Sequence, residues 1–187
     1  KNHNILISDF NFFLNKIRKS NIKIIVIPLV DNSSIKNKSI ETRVIKYFLS
    51  YTKWLKRYKK KIAFEIDYSP LKLKKFINNF PSDQFGINYD IGNSASLNFD
   101  SNTEFKLYYN RILNIHIKDR LYKGKTVRLG DGNVNFKKFI KNYIKYKMNT
   151  NLILQTARSK NKSHILEILK NRNFLTNKFK EFGRHPL

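Results

Sequence analysis

Short apolar segments alternate with amphipathic ones along the chain, and this alternation constrains the fold more than any other feature. Five apolar segments predict buried strands at residues 22–29, 62–66, 85–89, 112–117 and 152–154. Each is followed by a segment whose apolar residues recur at helical spacing. Strands that alternate with helices favour a parallel sheet with right-handed crossover connections. We therefore predict an α/β fold, organised as a single domain over residues 1–187.

The expected helices follow from this spacing and from residues that favour helix ends. Asp9 is typical of a residue that caps a helix, and Ser69 with Pro70 indicates the start of another. Helices are predicted over residues 39–60, 70–80, 104–110 and 136–146, and again after Ser163. Residues 122–135 form the longest predicted irregular loop, and long loops in compact domains are often functional.

The chain is strongly basic, with 38 Lys and Arg against 13 Asp and Glu, which gives a net charge of +25. Such a charge suits the phosphate backbone of nucleic acids. Here, however, the Lys residues are spread along the chain, and the abundance of Lys, Asn, Ile, Phe and Tyr is typical of an AT-rich coding sequence. The densest cluster, residues 53–61, lies on a predicted amphipathic helix. We therefore disfavour nucleic acid as a partner.

Other features of the composition set further limits. The absence of cysteine excludes disulfide scaffolds and thiolate metal sites. No apolar segment approaches the roughly 20 residues of a membrane-spanning helix, and the first residues do not resemble a secretory signal. We expect a cytoplasmic protein without membrane contact. Because the only methionine is Met148, we also expect that Lys1 is not a native start and that the sequence is a fragment or a processed chain.

Polar side chains stand where the predicted strands end. Glu65, Asp90 and His116 lie at the ends of the second, third and fourth strands, and Gln155 follows the fifth. The carboxyl ends of parallel strands form the edge at which such folds carry their chemistry. One polar residue there commonly caps a helix or binds a loop, but three on successive strands favour a shared metal. Two carboxylates with one imidazole suit Mn²⁺, Mg²⁺, Co²⁺ or Zn²⁺.

Three motifs resemble the xylose-isomerase-like sugar phosphate isomerase/epimerase family. They are residues 85–93 (FGINYDIGN), 112–120 (ILNIHIKDR) and 129–136 (LGDGNVNF), and the resemblance extends over about residues 22–174. It implies a (β/α)8 TIM barrel, of which only about the last five β/α units, strands 4 to 8, are present. Strands 1 to 3 are then expected before Lys1. The open edges of the fourth and eighth strands would favour a homo-oligomer.

The resemblance also implies a set of site residues. Its metal ligands fall on Glu65, Asp90, His116 and Gln155, although the family's usual residue at the last position is Glu. Asn93 and Arg120 fall where family members contact the sugar, and Asp119 would orient the loop of His116 as an outer-sphere group. Separately, Arg158 follows the last strand and could clamp a phosphate.

The activity that the resemblance implies is the metal-dependent isomerisation or epimerisation of a keto-sugar or sugar phosphate through an enediolate. Glu65 and Gln155 would be the catalytic pair, and a divalent ion the cofactor. An amide cannot carry a proton at neutral pH, so Gln155 argues against two-base epimerisation. Two alternatives stay open: an apurinic-endonuclease-like DNA-binding barrel, which needs more histidines, and a catalytically degenerate barrel that only binds sugar.

Overall fold

The computed structural model describes residues 3–159 and 162–184. The strands are β1 (Ile24–Leu29), β2 (Lys61–Ile66), β3 (Phe85–Asp90), β4 (Ile112–Ile117), β5 (Asp119–Arg120), β6 (Thr126–Val127) and β7 (Asn151–Leu154). The helices are α1 (His3–Ile17), α2 (Lys38–Leu49), α3 (Thr52–Tyr58), α4 (Pro70–Ile77), α5 (Ile91–Ser96), α6 (Ser101–Tyr108), α7 (Phe136–Lys145) and α8 (His164–Lys180).

A five-stranded parallel sheet in the order β1-β2-β3-β4-β7 forms the centre of the molecule. This confirms the predicted α/β fold and the positions of its five strands. The short strands β5 and β6 form a separate antiparallel ribbon after the end of β4. The predicted irregular loop at residues 122–135 therefore contains one regular strand, which pairs with the segment just before the loop.

One face of the sheet, here called the outer face, is covered by aromatic side chains from the helices. Phe64 of β2 packs against Phe48 and Phe76, with ring centroids 5.0 and 5.5 Å apart, and Tyr89 of β3 packs against Phe105 at 5.5 Å. Because side chains alternate along a strand, the strand residues next to Phe64 and Tyr89 point to the opposite face, here called the inner face. The inner face carries Glu65, Asp90 and His116, so the packing of the outer face positions the candidate site.

Two helix predictions near the start of the chain are wrong. Asp9 lies inside α1 rather than at its cap, because the helix begins earlier, at His3. Residues 39–60 form two helices instead of one. At the break, the hydroxyl of Ser50 donates to the carbonyl of Tyr47 (2.6 Å) and that of Thr52 donates to the carbonyl of Leu49 (2.7 Å). Such side-chain bonds compete with the helical backbone bonds.

Two further differences follow from capping by aspartate. Helix α6 begins at Ser101, before the predicted start at residue 104, because the Asp100 carboxylate accepts from the backbone N–H of Thr103 (3.0 Å). Helix α5 was not predicted, and the Asp90 carboxylate caps it in the same way. Within the described residues, no helix is both long and apolar enough to cross a membrane.

Candidate metal centre

Three of the predicted ligands meet on the inner face of the sheet. One ligand atom from each of Glu65, Asp90 and His116 lies within 4.8 Å of the other two. His116 Nδ1 is 3.2 Å from Glu65 Oε2 and 4.0 Å from Asp90 Oδ2. Both carboxylates are buried, while the imidazole is partly exposed. The order of the strands therefore predicted that these groups lie at one end of the sheet, and folding brings one ligand atom of each within 4.8 Å of the others.

A β-bulge between β3 and β4 aligns two of these ligands. Ile87 pairs with Ile112, but Asn88 pairs with Asn114 and Asp90 with His116, so Leu113 is an extra residue in β4. Without it, Asp90 would pair with Ile115, and His116 would point to the outer face. Bulges of this kind re-aim side chains next to functional sites.

Gly86 leaves the space that the bulge needs. A Cβ atom at this position would lie 2.4 Å from the backbone oxygen of Arg111 and 2.5 Å from Leu113 Cγ. Both distances are far below van der Waals contact, and the first involves backbone that cannot easily move. Glycine at the second position of β3 is therefore coupled to the alignment of Asp90 with His116.

Amide side chains hold the Glu65 carboxylate from both sides. Asn88 Nδ2 donates to Glu65 Oε2 and Asn93 Nδ2 donates to Glu65 Oε1, each at 2.8 Å. Arg120 Nη1 in turn donates to Asn93 Oδ1 at 2.8 Å. The guanidinium of Arg120 also binds the carbonyl of Gly124. Glu65 is thus fixed in place through a chain of contacts that leads to the β5–β6 ribbon.

The two carboxylates have pKa values shifted in opposite directions. Burial by itself raises the pKa of Glu65, but its contacts with His116, Lys118 and Asn88 hold this pKa below its ordinary value. Burial raises the pKa of Asp90, and the Lys118 ammonium, 2.7 Å from Asp90 Oδ2, only partly opposes this. Two facing carboxylates therefore do not ionise equally well without additional positive charge.

This donor set fits a divalent cation. It offers two carboxylate oxygens and one imidazole nitrogen on rigid strands, which are ligands that Mn²⁺, Mg²⁺, Co²⁺ and Zn²⁺ accept. A cation at this point would also relieve the repulsion between Glu65 and Asp90. The group contains one histidine among the described residues. It therefore gives no support to the nuclease alternative, which needs several.

Of the other predicted site residues in the described part of the chain, most line a cavity beside the candidate centre, and Arg158 does not. A cavity of about 570 Å³ opens above the centre, and its lining includes Glu65, His116, Asn93, Arg120 and Gln155. Gln155 is exposed and extends β7 through a backbone bond to Ile117 (3.0 Å). The exposed Arg158 is not part of this lining within the described residues. A phosphate clamp by Arg158 therefore receives no support from its position.

Asp119 has a different role from the predicted one. Its carboxylate is completely buried and accepts three backbone N–H bonds, from Gly130 (2.9 Å), Gly132 (3.0 Å) and Val134 (3.0 Å). Asp119 thus fixes the loop before α7 instead of contacting His116. A Cβ atom on Gly132 would lie 2.2 Å from Asp119 Oδ1, so glycine permits this close approach.

Four polar residues of the site were missed in the sequence. Lys118 and Lys125 line the cavity, and Asn88 and Asn114 lie beneath the ligands. The two asparagines stand two positions before Asp90 and His116, so strand alternation alone indicates that they share the inner face.

A parallel sheet with its polar residues gathered at the carboxyl ends of consecutive strands is typical of α/β proteins. The sequence matches the family profile described as "Xylose isomerase-like TIM barrel" over residues 14–176. The chain belongs to this family and forms part of its barrel. Among curated proteins, none matches the sequence.

Solved structures with the same fold are longer than this chain. The IOLI protein with a bound zinc atom superimposes with a TM-score of 0.80 at 14% identity, over 96% of this chain and 71% of that one. A xylose isomerase domain protein from Planctomyces limnophilus gives 0.79 at 14% identity, over 95% and 67%. An L-ribulose 3-epimerase gives 0.76 at 12%, over 94% and 67%. The chain therefore spans about two thirds of their length.

Proposed function

We propose that this chain carries the metal-binding part of an enzyme that isomerises or epimerises a keto-sugar or sugar phosphate. The observation that carries the proposal is the convergence of Glu65, Asp90 and His116 within 4.8 Å at the ends of three neighbouring strands. Membership of the family supports it, as does the fold shared with an L-ribulose 3-epimerase. A divalent ion held by these residues would supply positive charge for the sugar oxygens that become negative during the reaction.

Glu65 is the residue best placed to move a proton. Its lowered pKa keeps it ionised near neutral pH, and Asn88 and Asn93 hold both of its oxygens. As a base it takes the proton from the carbon next to the sugar carbonyl. The C–H electron pair then forms the carbon–carbon double bond of an enediolate, and the carbonyl electrons move to its oxygen.

The second proton transfer separates the two possible reactions. Epimerisation needs a proton on the opposite face of the same carbon, and the amide of Gln155 cannot deliver it. Asp119 cannot replace Gln155 because it is fully buried and bonded to three backbone N–H groups. The described residues therefore favour isomerisation, in which Glu65 returns the proton to the neighbouring carbon.

The cavity favours an acidic sugar over a neutral one. Lys118, Arg120 and Lys125 line it, against the carboxylates of Asp31 and Glu65. Lys118 pairs with Asp90, whereas within the described residues neither Arg120 nor Lys125 pairs with a carboxylate. A guanidinium with nearby ammonium groups is a suitable partner for a phosphate. We therefore propose a sugar phosphate as the preferred substrate.

Metal analysis tests this proposal directly. After soaking in Mn²⁺ and removal of free ion, we expect about one equivalent per chain, and the Glu65→Gln variant should retain far less. Glu104→Gln removes a different buried glutamate and should leave the metal content unchanged. Less than about a tenth of an equivalent in the wild-type chain would refute the metal centre.

Solvent exchange tests the chemistry. Ketose phosphates incubated in deuterated water with the metal-loaded chain should exchange the hydrogen next to the carbonyl, followed by NMR. We expect Glu65→Gln to slow this exchange by about 10²–10⁴-fold, the usual contribution of a general base. Faster exchange of neutral ketoses than of their phosphates would contradict the proposed substrate class.

A degenerate sugar-binding barrel is the second candidate, because Gln155 stands where the family resemblance implies a Glu. The Gln155→Glu variant separates the two candidates. Exchange in the wild-type chain supports a native enzyme, and exchange that appears only in Gln155→Glu supports degeneracy.

A further inference from the structure

Two buried amides lie directly beneath the candidate metal centre. Asn88 of β3 and Asn114 of β4 pair in register, and each is only 2% exposed. Branched apolar side chains usually fill the interior of such barrels. A buried amide is unfavourable unless its hydrogen bonds are made, so the position of this pair calls for a specific reason.

The Glu65 carboxylate determines how the Asn88 amide is turned. Asn88 Nδ2 lies 2.8 Å from Glu65 Oε2, and an ionised carboxylate can only accept hydrogen bonds. The NH₂ group of Asn88 must therefore face Glu65, and its oxygen faces Asn114. Asn114 Nδ2 donates to that oxygen at 2.6 Å, which prevents the Asn88 amide from turning over.

The remaining hydrogen of Asn88 Nδ2 reaches His116. Nδ2 lies 3.1 Å from His116 Nδ1, so Nδ1 has to accept in this arrangement and the ring proton must sit on Nε2. The competing arrangement, in which Nδ1–H donates to Glu65 Oε2 at 3.2 Å, would set that hydrogen against the NH₂ group of Asn88.

We infer that Asn88 and Asn114 are positioning residues that hold His116 as the tautomer with its proton on Nε2, so that Nδ1 is unprotonated and accepts from Asn88. A cation would take the Nδ1 lone pair in place of the Asn88 hydrogen. The inference rests on the proposed function for its purpose, since a metal ligand must be unprotonated and only this tautomer offers Nδ1 to a cation between Glu65 and Asp90. Asn114 touches neither carboxylate ligand in the described contacts, and it acts through Asn88.

The tautomer can be measured in the metal-free full chain at a pH where imidazole is neutral. Ring ¹⁵N shifts distinguish the two nitrogens, and the His116 signals are identified by their loss in His116→Gln. We expect the Nε2–H form in the wild type. In Asn114→Asp the new carboxylate can only accept, so it competes with Glu65 for the NH₂ group of Asn88, and the amide should lose its single orientation. The ring should then populate the Nδ1–H form, and Zn²⁺ or Mn²⁺ affinity should fall about 10–100-fold.

Two further variants separate positioning from folding. Asn88→Leu with Asn114→Leu removes both partners at once, which leaves no unpaired amide and should preserve folding. We expect this double variant to lose the tautomer preference and to show the same 10–100-fold loss of Zn²⁺ affinity. Asn142→Asp is the matched control, because Asn142 is also buried and donates to Ser101 Oγ (2.8 Å) and Asn102 Oδ1 (2.9 Å), away from the centre. It should leave the tautomer and the affinity unchanged.

Either of two results would overturn the inference: an Nε2–H form that persists in Asn114→Asp, or a folded double variant with wild-type tautomer and affinity. If Asn114→Asp does not fold, the double variant decides. If the wild-type chain binds neither ion, the proposed function fails, and the ¹⁵N measurement on the metal-free chain still decides the role of the two asparagines.

Discussion

Two glutamates are buried on opposite faces of the same sheet, and their surroundings differ in kind. Glu65 on the inner face is 7% exposed and contacts Asn88, Asn93 and His116, with Lys118 nearby. Glu104 of α6 packs against the outer face and is 2% exposed. Among the described residues, its hydrogen-bond partners are the hydroxyls of Tyr89 (2.7 Å), Ser94 (2.6 Å) and Tyr108 (2.8 Å).

The two carboxyl groups consequently have opposite pKa shifts. Burial raises the pKa of both, but the contacts of Glu65 with His116, Lys118 and Asn88 bring its pKa below the ordinary value, whereas the hydroxyls around Glu104 leave its pKa raised. Burial alone therefore does not identify a functional carboxylate. Of these two glutamates, only Glu65 has a lowered pKa and lies close to a second carboxylate, that of Asp90.

Strand β3 supplies both clusters through its alternation. Asn88 and Asp90 point to the inner face, while Tyr89 between them points outward and binds Glu104. Ser94, which follows Asp90 and Asn93 on α5, binds the same carboxyl group. Glu104 therefore binds one residue before and one residue after Asp90 and Asn93, which belong to the site on the inner face.

The largest expected effect comes from Gly86→Ala, which should disturb the bulge that aligns Asp90 with His116. The added Cβ would overlap the Arg111 backbone and Leu113. We expect a loss of about 1–3 kcal/mol in unfolding free energy, measured with urea, and weaker Mn²⁺ binding. Gly183→Ala is the control: Gly183 has φ +65° and no atom within 4 Å of a Cβ. It should lose about 1–2 kcal/mol through backbone strain alone and bind Mn²⁺ normally. Equal Mn²⁺ affinity in both variants would contradict a role for the bulge.

A smaller effect is expected from Glu104→Gln, and it depends on pH. Because the folded-state pKa of Glu104 is raised above its ordinary value of 4.5, its contribution to stability is complete below pH 4.5. That contribution is lost as the pH rises through the folded-state value. The variant lacks this loss, so its stability relative to the wild type should increase as the pH rises above 4.5. Urea unfolding at several pH values measures the difference. If the difference in unfolding free energy between variant and wild type did not change with pH, the pKa of Glu104 would not be raised. Its hydroxyl partners would then keep it ionised as effectively as the partners of Glu65 keep that residue ionised.

The smallest effect should come from Tyr89→Phe, which removes one hydroxyl from the Glu104 cluster. We expect a cost of about 1 kcal/mol in unfolding free energy and unchanged Mn²⁺ affinity, since the side chain faces away from the centre. Tyr143→Phe removes a longer bond, 3.3 Å to the carbonyl of Thr150, and should cost less. A large fall in Mn²⁺ affinity in Tyr89→Phe would mean that the two clusters are not independent.

The parts of the site that the sequence predicted are those set by strand order. Glu65, Asp90 and His116 each close a short apolar segment, and parallel strands bring such ends together whatever the details of packing. The same rule placed Gln155 at the cavity. The rule works because it depends only on element type and chain direction.

The parts that could not be predicted depend on single residues. The extra residue Leu113 has no marker in the sequence, since ILNIHI is as regular as any strand. Asn88 and Asn114 are residue types more typical of turns, so their place in buried strands follows from tertiary contacts. Asp119 resembled a site residue because it stands near His116, and only the loop packed on it reveals three backbone partners.

The two oxygens of the Asp90 carboxylate contact different parts of the molecule. Oδ1 accepts from the backbone N–H of Asn93 (2.8 Å) at the start of α5, while Oδ2 faces Lys118 and the centre. A carboxyl group is rigid and planar, so one oxygen cannot be re-aimed without turning the other. The Asp90 carboxylate therefore links the first turn of α5 to the candidate metal centre. The rate of amide hydrogen exchange in α5 should therefore change when Asp90 Oδ2 binds a different partner.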